Sequence, residues 1–434
     1  MTHTSPVGWF LARFGVPAIL LVFYVTAALH FDYTPDGTYA VARSAEQLCA
    51  GASWQNDEGP AVPWVLLSAT GGLLGLKPIL VAKVFSLLFC SMAILLAYLF
   101  AVELLDDRVM ALLVALAVAS QAWLIQCAAS GSGVALTLAL TMATVFFLLR
   151  NEYLLAVLCV GIATMITWQA GGLLIGLVVD SVVNSRDRWR GVTVGFAVLM
   201  VFIAMILPWI LYASWAGLPV LTGLPPVDVP TVPSLTVWVT MLFAVIMGVL
   251  GYAADGAAGG ARPALLNHLG LLCVITWCLA AGLMGESDLW RLAVPCLLAL
   301  VYFGLERYRR WRSGAAPSYG TALVFAAALL IGAQAEFLLQ TKPTMRDTAT
   351  ETEDLISIAY WLRSGQPAVR FSAERRGVVE YYVRRQAMAP GTGEQPDFVV
   401  SAAPELQGYE MVYAPPLQFE PGRSGKHYKV WRKL

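Results

Sequence analysis

Apolar runs about as long as a bilayer is thick recur through the first 340 residues of the chain. A transmembrane helix needs about 20 consecutive apolar residues. The whole chain is 58% hydrophobic and only 13% charged, whereas a soluble globular domain contains roughly 25% charged residues. A surface with so few charges cannot face water everywhere, so we expect a protein that crosses a membrane many times.

The apolar runs predict eleven membrane-crossing helices. Their approximate bounds are residues 9–30, 79–102, 109–127, 133–149, 152–167, 170–185, 191–214, 233–253, 264–284, 289–305 and 320–339. We interpret the first run as a retained helix, because no small-residue cleavage site followed by a soluble domain is present.

Basic residues fall in alternate loops between these runs. They are Arg150, Arg186, Arg188, Arg190, Arg262, Arg307, Arg309, Arg310 and Arg312. Loops rich in Lys and Arg stay in the cytoplasm, and the opposite loops, such as 31–63 and 285–288, carry few basic residues. We therefore predict a multi-pass protein of a bacterial inner membrane, with a cytoplasmic N-terminus and the C-terminal part outside.

The segment 31–78 forms a long external loop in this topology. Its apolar piece at 62–76 is short and Gly-rich, and we expect it to be an interfacial helix that lies along the membrane surface. From residue 340 the composition becomes mixed and charged, as a soluble domain requires.

Residues 340–434 predict two helices and four strands. The helices are expected at 351–363 and 376–385, and the strands at 368–372, 397–401, 409–413 and 427–431. The predicted fold is an all-α polytopic membrane domain over 1–339, with about eleven transmembrane helices, and a small α/β extracytoplasmic domain over 340–434.

Motifs of soluble enzymes do not occur in the sequence: there is no Walker A run, GxSxG, HExxH or dinucleotide fingerprint. Cys49 is the one cysteine in a predicted external loop and no CxxC pair occurs, so structural zinc is not indicated. The four histidines are too dispersed for a local metal site. The formal net charge is zero, which gives no indication of a nucleic-acid partner.

The segment 30–43 is the strongest candidate for chemistry. It begins where the first helix leaves the membrane, and it contains Asp36. Partial burial at the membrane edge would make a carboxylate a stronger base. The alternative is a solvated loop in which Asp36 and Gly37 form a turn. Asp180, late in an apolar run, would be a functional candidate as an intramembrane acid, or would pair with Arg186 or Arg188 near the cytoplasmic side.

Several short motifs follow one another along the predicted external side of the chain. They are Asp36, Tyr39 and Arg43 after the first predicted helix, the run 56–82 with Lys83 around the second, and the run 290–295 at the start of a late helix. Their order resembles the GT-C superfamily of polyprenyl-phosphate-sugar-dependent glycosyltransferases, which includes protein mannosyltransferases, aminoarabinose transferases and arabinofuranosyltransferases. These families have an acidic motif after the first helix, followed by Tyr and a basic residue, and an Arg-containing start of a late helix.

The resemblance implies a membrane glycosyltransferase that takes a sugar from a polyprenyl-phosphate donor. Asp36 would be the general base, and Lys83, Arg291, Tyr39 and Arg43 would bind the donor and its phosphate. The acceptor would be a glycan, a lipid, or a secreted or pilus protein outside the membrane. No cofactor is required beyond the lipid-linked donor, although a divalent metal stays open.

Each candidate has a simpler alternative. Lys83 could be a snorkelling lysine, and Arg291 could pair with an acidic residue of the preceding loop. Two further acids, Asp57 and Glu58, would supply a second acid or a metal ligand, or would form a solvated pair.

Three departures from the family pattern keep other functions open. Gly37 stands where many members have a second acid, and the loop 130–133 carries no carboxylate. The turn between the fifth and sixth predicted helices often holds Arg or Lys in the family, whereas this chain has Trp168 and Gln169. A lipid-carrier flippase or transporter, or a catalytically inert GT-C-like scaffold, are the competing hypotheses.

Overall fold

The computed structural model describes most of the chain. The described residues are 14–30, 33–51, 62–185, 187–215, 235–257, 264–283, 289–313, 320–365, 370–384, 387, 395–415 and 427–434. This part is mostly helical and contains one small sheet near the C-terminus.

Helices account for nearly all of the described structure before residue 342. In chain order they are α1 (Val16–His30), α2 (Asp36–Cys49), α3 (Val62–Leu73), α4 (Pro78–Leu105), α5 (Arg108–Ala119), α6 (Ala122–Ser130), α7 (Val134–Leu149), α8 (Tyr153–Ile166), α9 (Leu173–Val183), α10 (Arg188–Trp215), α11 (Leu235–Ala257), α12 (Ala264–Asn267), α13 (Leu269–Leu283), α14 (Leu289–Ser313) and α15 (Gly320–Glu336). A short 3-10 helix at Trp168–Gly172 joins α8 to α9.

Three helices in the described ranges are long and apolar enough to cross a membrane: Pro78–Leu105, Arg188–Trp215 and Gly320–Ser364. The pair α5 and α6, which meet at 63°, would make a fourth as one broken span. Most of the other predicted crossings coincide with apolar helices of 10–17 residues. The membrane character of the chain is clear from these helices, and the number eleven stays a prediction.

The helical core is built around α4, which packs against α1, α5, α6, α7 and α14. Its buried positions are largely Ala, Leu and other small or aliphatic residues, so neighbouring helices approach closely. Polar side chains in this core bond to nearby backbone. The Ser86 hydroxyl, for example, donates to the Cys127 carbonyl at 2.7 Å and joins α4 to α6.

The segment predicted as an external loop at 31–78 contains two helices. α3 confirms the expected helix at 62–76, although it ends at Leu73. α2 begins at Asp36 itself, directly after Pro35, so the interpretation of Asp36 and Gly37 as a solvated turn is wrong. Both helices bury apolar side chains against α4, α7 and α8, in a cluster that includes Trp64.

The C-terminal part begins with a helix that continues from the membrane part. A π-helical turn at Phe337–Thr341 joins α15 directly to α16 (Lys342–Gly365). The expected boundary at 339/340 therefore lies inside a continuous helix. The division into two domains stays a prediction.

The sheet carries four short strands in the order β1-β2-β4-β3. The elements are β1 (Phe371–Ala373), α17 (Arg376–Val383), β2 (Phe398–Ser401), β3 (Tyr409–Tyr413) and β4 (Lys429–Lys433). β1 and β2 are parallel, and β4 pairs antiparallel with both β2 and β3. These elements lie within a few residues of the predicted ones.

Candidate functional site

The helix α2 carries four chemically active side chains on one face. Asp36, Tyr39, Arg43 and Glu46 follow one another at spacings of three, four and three residues, which places them along the same side of a helix. All four contact α17 of the C-terminal part. The candidate site is therefore the contact between α2 and α17.

Asp36 caps α17 across this contact. Its Oδ2 accepts a hydrogen bond from the Gly377 backbone N–H at 3.0 Å, and its Oδ1 accepts one from the Val378 N–H at 2.9 Å. The residue that precedes α17, Arg375, gives no side-chain cap of its own. Two amide donors and the positive end of a helix stabilise the ionised carboxylate. Asp36, the predicted base, is thus bound by backbone N–H groups that lie about 340 residues later in the chain.

Gly377 makes this approach sterically possible. A Cβ atom built on it would lie 2.4 Å from the Asp36 backbone oxygen and 3.0 Å from Asp36 Cγ. No side chain fits between the two backbones, so glycine is required here by close approach.

A buried charge cluster lies further along the same contact. The Glu380 carboxylate is bound by Arg43 Nη1 and, at 3.2 Å, by Arg376 Nη2, and it accepts the Ala387 N–H at 2.7 Å. Glu380 is only 9% exposed, and a charge so buried is retained only when it is paired. Arg43, which the resemblance assigns to donor binding, is placed against this glutamate.

Tyrosines fill the apolar part of the contact. The Tyr39 ring lies 5.5 Å from that of Tyr381 and 5.9 Å from that of Tyr382, measured between centroids. Tyr39 is buried within the hydrophobic core of the C-terminal part. The Tyr381 hydroxyl donates to Glu46 Oε1 at 3.0 Å. Burial raises the pKa of Tyr381 well above its usual range and the Glu46 charge raises it further, so the hydroxyl remains a donor.

A second tyrosine lies close to Asp36. Burial raises the pKa of Tyr428 strongly, and the nearby Glu351 carboxylate adds to that effect while Arg375 opposes it. The charge of Asp36 also acts on Tyr428 in the same direction as Glu351. The start of α17 therefore carries both signs of charge, because Arg375 pairs with Glu351 there.

Lys83 belongs to α4 and lies near Thr38, away from the face of α2 that contacts α17. A Cβ atom built on Gly131 would be 2.9 Å from Thr38 Cγ2 and 3.3 Å from Lys83 Cγ, so the two side chains flank the same glycine. The Thr38 hydroxyl donates to the Ser130 carbonyl at 2.8 Å, and the Trp64 indole N–H donates to the Gly131 carbonyl at 3.1 Å. The turn at 130–133 is thus buried beneath α2 and α3.

Arg291 lies near the start of α14 and is 4% exposed. Its helix packs against α4, which carries Lys83. The structure holds Asp36, Tyr39 and Arg43 of α2 together against α17, whereas Lys83 lies on α4 and Arg291 on α14. The roles of these residues in donor binding stay predictions.

The remaining predicted residues contribute little to this site. Asp57 and Glu58 lie outside the described residues. No group of three His, Cys, Asp or Glu side chains in the described ranges could hold a metal ion, and the metal question stays open. Sequence reasoning missed Gly377, Glu380 and Tyr381. Only the helical spacing on α2 signalled that a partner surface exists.

Asp180 forms a separate polar cluster. Its carboxylate accepts hydrogen bonds from the Tyr153 hydroxyl and the Asn184 amide, both at 2.9 Å. Residue 186 lies outside the described residues, and these two neutral partners replace the expected arginine as the described contacts. The cluster joins α8 to α9 inside the helical part.

Comparisons with known proteins identify solved structures with a similar overall fold. No protein-family model and no curated protein matches the sequence. ArnT from Cupriavidus metallidurans in the apo state is similar in structure, with a TM-score of 0.56 and 13% identity over 99% of both chains. ArnT bound to undecaprenyl phosphate gives a TM-score of 0.55 and 14% identity over 99% of both chains. The mycobacterial arabinofuranosyltransferase AftD aligns with 84% of this chain and 30% of its own, at 17% identity and a TM-score of 0.49.

ArnT is a GT-C glycosyltransferase, and the likeness extends over the membrane helices and the C-terminal part together. The chain has a GT-C-like fold. This confirms the predicted resemblance at the level of the fold. At 13–14% identity the likeness establishes the fold of this GT-C-like protein.

Proposed function

We propose that this GT-C-like protein is a membrane glycosyltransferase that moves a sugar from a polyprenyl-phosphate-linked donor to an acceptor on the extracytoplasmic side. The observation that carries the proposal is the shared fold with ArnT, over 99% of both chains. ArnT has been seen bound to undecaprenyl phosphate, which supports a polyprenyl phosphate as the lipid partner here. The acceptor would be a glycan, a lipid, or a secreted or pilus protein.

In the proposed reaction Asp36 acts as the base. Its carboxylate takes the proton of an acceptor hydroxyl while the hydroxyl oxygen attacks the anomeric carbon of the donor sugar. The bond from that carbon to the phosphate oxygen breaks in the same step, so the anomeric configuration inverts. Two amide hydrogen bonds hold the Asp36 carboxylate in a fixed orientation, and a positioned carboxylate is one of the groups that act as general bases.

The leaving group in this reaction is a polyprenyl phosphate, which carries negative charge. Cationic side chains stabilise such a group as the bond breaks. Lys83, which is half-buried beside Thr38, and the buried Arg291 are the proposed cations. Tyr39 and Arg43 contribute by fixing α2, because both are held against α17.

The test is transfer by the purified protein in proteoliposomes. A panel of radiolabelled polyprenyl-phosphate sugars would be offered together with a membrane extract as acceptor. Asp36→Asn should lower kcat by about 100-fold or more, because general bases contribute on the order of 10²–10⁴ to rate. Lys83→Gln should raise the KM for the donor. Unchanged transfer by Asp36→Asn would rule out the proposed base.

Asp107→Asn is the matched control. Asp107 caps α5 by accepting hydrogen bonds from the Val109 and Met110 amides, much as Asp36 caps α17. Transfer should be unaffected in this variant. A loss equal to that of Asp36→Asn would indicate that removing the charge of any helix-capping aspartate harms the protein.

A catalytically inert GT-C-like scaffold is the second candidate. It is favoured by one observation: the Asp36 carboxylate is already used to cap α17. A protein that binds polyprenyl phosphate but transfers no sugar from any donor in the panel would support the scaffold and overturn the enzyme.

A further inference from the structure

We infer that Glu380 is a positioning residue for Asp36, so that the C-terminal part completes the reaction site through α17. The inference rests on the proposed function, because it assigns to Glu380 the task of holding the proposed base. It assigns no chemistry to Glu380, which acts through α17.

The first two turns of α17 are held to α2 at two places. At the start of the helix, the Gly377 and Val378 amides bind the Asp36 carboxylate. One turn later, the Glu380 carboxylate binds Arg43. Since Asp36 and Arg43 lie on the same face of α2, the two contacts fix both the position and the rotation of α17 along that face.

Glu380 also links α2 to the body of the C-terminal part. Besides Arg43, it binds Arg376 at 3.2 Å and the Ala387 amide at 2.7 Å. The side chains of Arg43 and Glu380 are 19% and 12% exposed. Ion pairs buried to this degree are poorly screened, and loss of one partner leaves the other charge without compensation.

The contacts that dock α17 on α2 determine the orientation of the Asp36 side chain. A carboxylate that accepts two backbone N–H groups has a fixed orientation, and a base that is already oriented reacts without a further loss of freedom. If α17 moves away, the Asp36 side chain rotates and water replaces the amides. Misplacement of a base lowers the rate of the chemical step, whereas the lipid donor, bound elsewhere, keeps its affinity.

The experiment uses the full-length protein and Glu380→Gln, which keeps the shape of the side chain and removes its charge. Two quantities are measured: kcat and donor KM in the transfer assay, and hydrogen exchange of the Gly377 and Val378 amides. We expect kcat to fall by on the order of 100-fold, donor KM to stay within about twofold, and exchange at both amides to accelerate by about tenfold or more. Glu380→Asp, which retains the charge, should recover part of both effects.

Glu410→Gln is the matched control, because Glu410 forms an exposed ion pair with Arg432 in the same sheet. It should change neither quantity. Exchange at the β2 amides of Phe398–Ser401 reports whether the C-terminal part of each variant is folded.

The outcomes separate this inference from the proposed function. Accelerated exchange in Glu380→Gln with unchanged kcat overturns the inference and leaves the function intact. Unchanged exchange at Gly377 and Val378 also overturns it, because Glu380 would then not hold α17. Absence of sugar transfer by the wild-type protein overturns the proposed function. The positioning role of Glu380 then falls as well, even if hydrogen exchange shows that Glu380 docks α17 on α2.

Discussion

At the scale of single residues, the contact between α2 and α17 depends on the absence of a side chain at Gly377. The Gly377 backbone lies against the backbone of Asp36, where a Cβ atom would be 2.4 Å from a carbonyl oxygen. A carbonyl oxygen belongs to the helix itself and cannot rotate away as a flexible side chain would. Any larger residue at 377 must therefore displace one helix from the other.

Gly377→Ala should loosen the docking of α17. We expect the free energy of opening at the Val378 and Val379 amides to fall by about 1–3 kcal/mol, the usual cost of overpacking, and hydrogen exchange measures it. Gly248→Ala is the control, since a Cβ atom at Gly248 in α11 meets nothing within 4 Å. Equal protection in Gly377→Ala and the wild-type protein would mean that α17 does not dock as described.

The sequence indicates one half of this contact. Asp36, Tyr39 and Arg43 stand out because they match a family motif, although the segment that carries them was expected to be a loop. Gly377 and Glu380 could not be identified, since they lie 341 and 337 residues away from their partners. Which residues pair over such a separation is determined by the three-dimensional fold, and no local pattern in the sequence of α17 predicts this pairing.

At the scale of elements, the continuous helix from α15 to α16 connects the membrane part to the sheet. Gly320–Ser364 spans 45 residues, which corresponds to about 68 Å at 1.5 Å per residue. The hydrocarbon core of a bilayer is about 30 Å thick, so the helix is long enough to cross it and extend well beyond.

The change of composition at residue 340 is the reason why this continuity was not predicted, and Pro343 lies just beyond that point. A proline inside an apolar pattern usually ends a helix, because it lacks an N–H and clashes with an earlier carbonyl. Here the π-helical turn Phe337–Thr341 directly precedes it, and a wider turn gives the ring room. The crossing at 320–339 and the helix at 351–363 were both predicted, whereas their fusion required the three-dimensional structure.

Insertion of one alanine after Thr350 tests whether this helix sets the position of α17. It should rotate the following residues by about 100° relative to the membrane part and separate α17 from α2. The measurement is cross-linking by a short bismaleimide between cysteines placed at Glu46 and Tyr381, in a Cys49→Ser background. The linked peptides are detected by mass spectrometry.

The parent double-cysteine protein should cross-link, and the insertion variant should not. An alanine inserted after Leu406, in the turn before β3, is the control and should leave cross-linking intact. Efficient cross-linking in the Thr350 insertion variant would show that α16 does not fix the position of α17.

At the scale of the whole molecule, the fold follows from features that survive large changes in sequence. Apolar runs, alternating basic loops and a mixed C-terminal segment are sufficient to predict a polytopic helical protein with a small α/β part. The same architecture extends over 99% of ArnT at 13% identity. Such patterns specify where helices lie, but they do not specify which side chains meet between distant helices.

The predicted orientation can be tested with a native cysteine. Cys49 is exposed at the end of α2, which the topology places outside. A membrane-impermeant maleimide should therefore label it in right-side-out membrane vesicles, and Cys49→Ser should abolish this labelling. Cys90, Cys127, Cys278 and Cys296 are buried and should react only after denaturation. Labelling of Cys49 only after permeabilisation would reverse the predicted orientation.

Tyr39 lies in the hydrophobic core of the C-terminal part, together with Leu355, Ile358 and Val378. One of the residues that fill this core thus comes from a helix that precedes most of the membrane-embedded chain. A residue of α2 therefore completes the hydrophobic core of the C-terminal part. A chimera that exchanged it for the corresponding piece of another protein would need to exchange α2 as well, and the two segments are expected to change in concert during evolution.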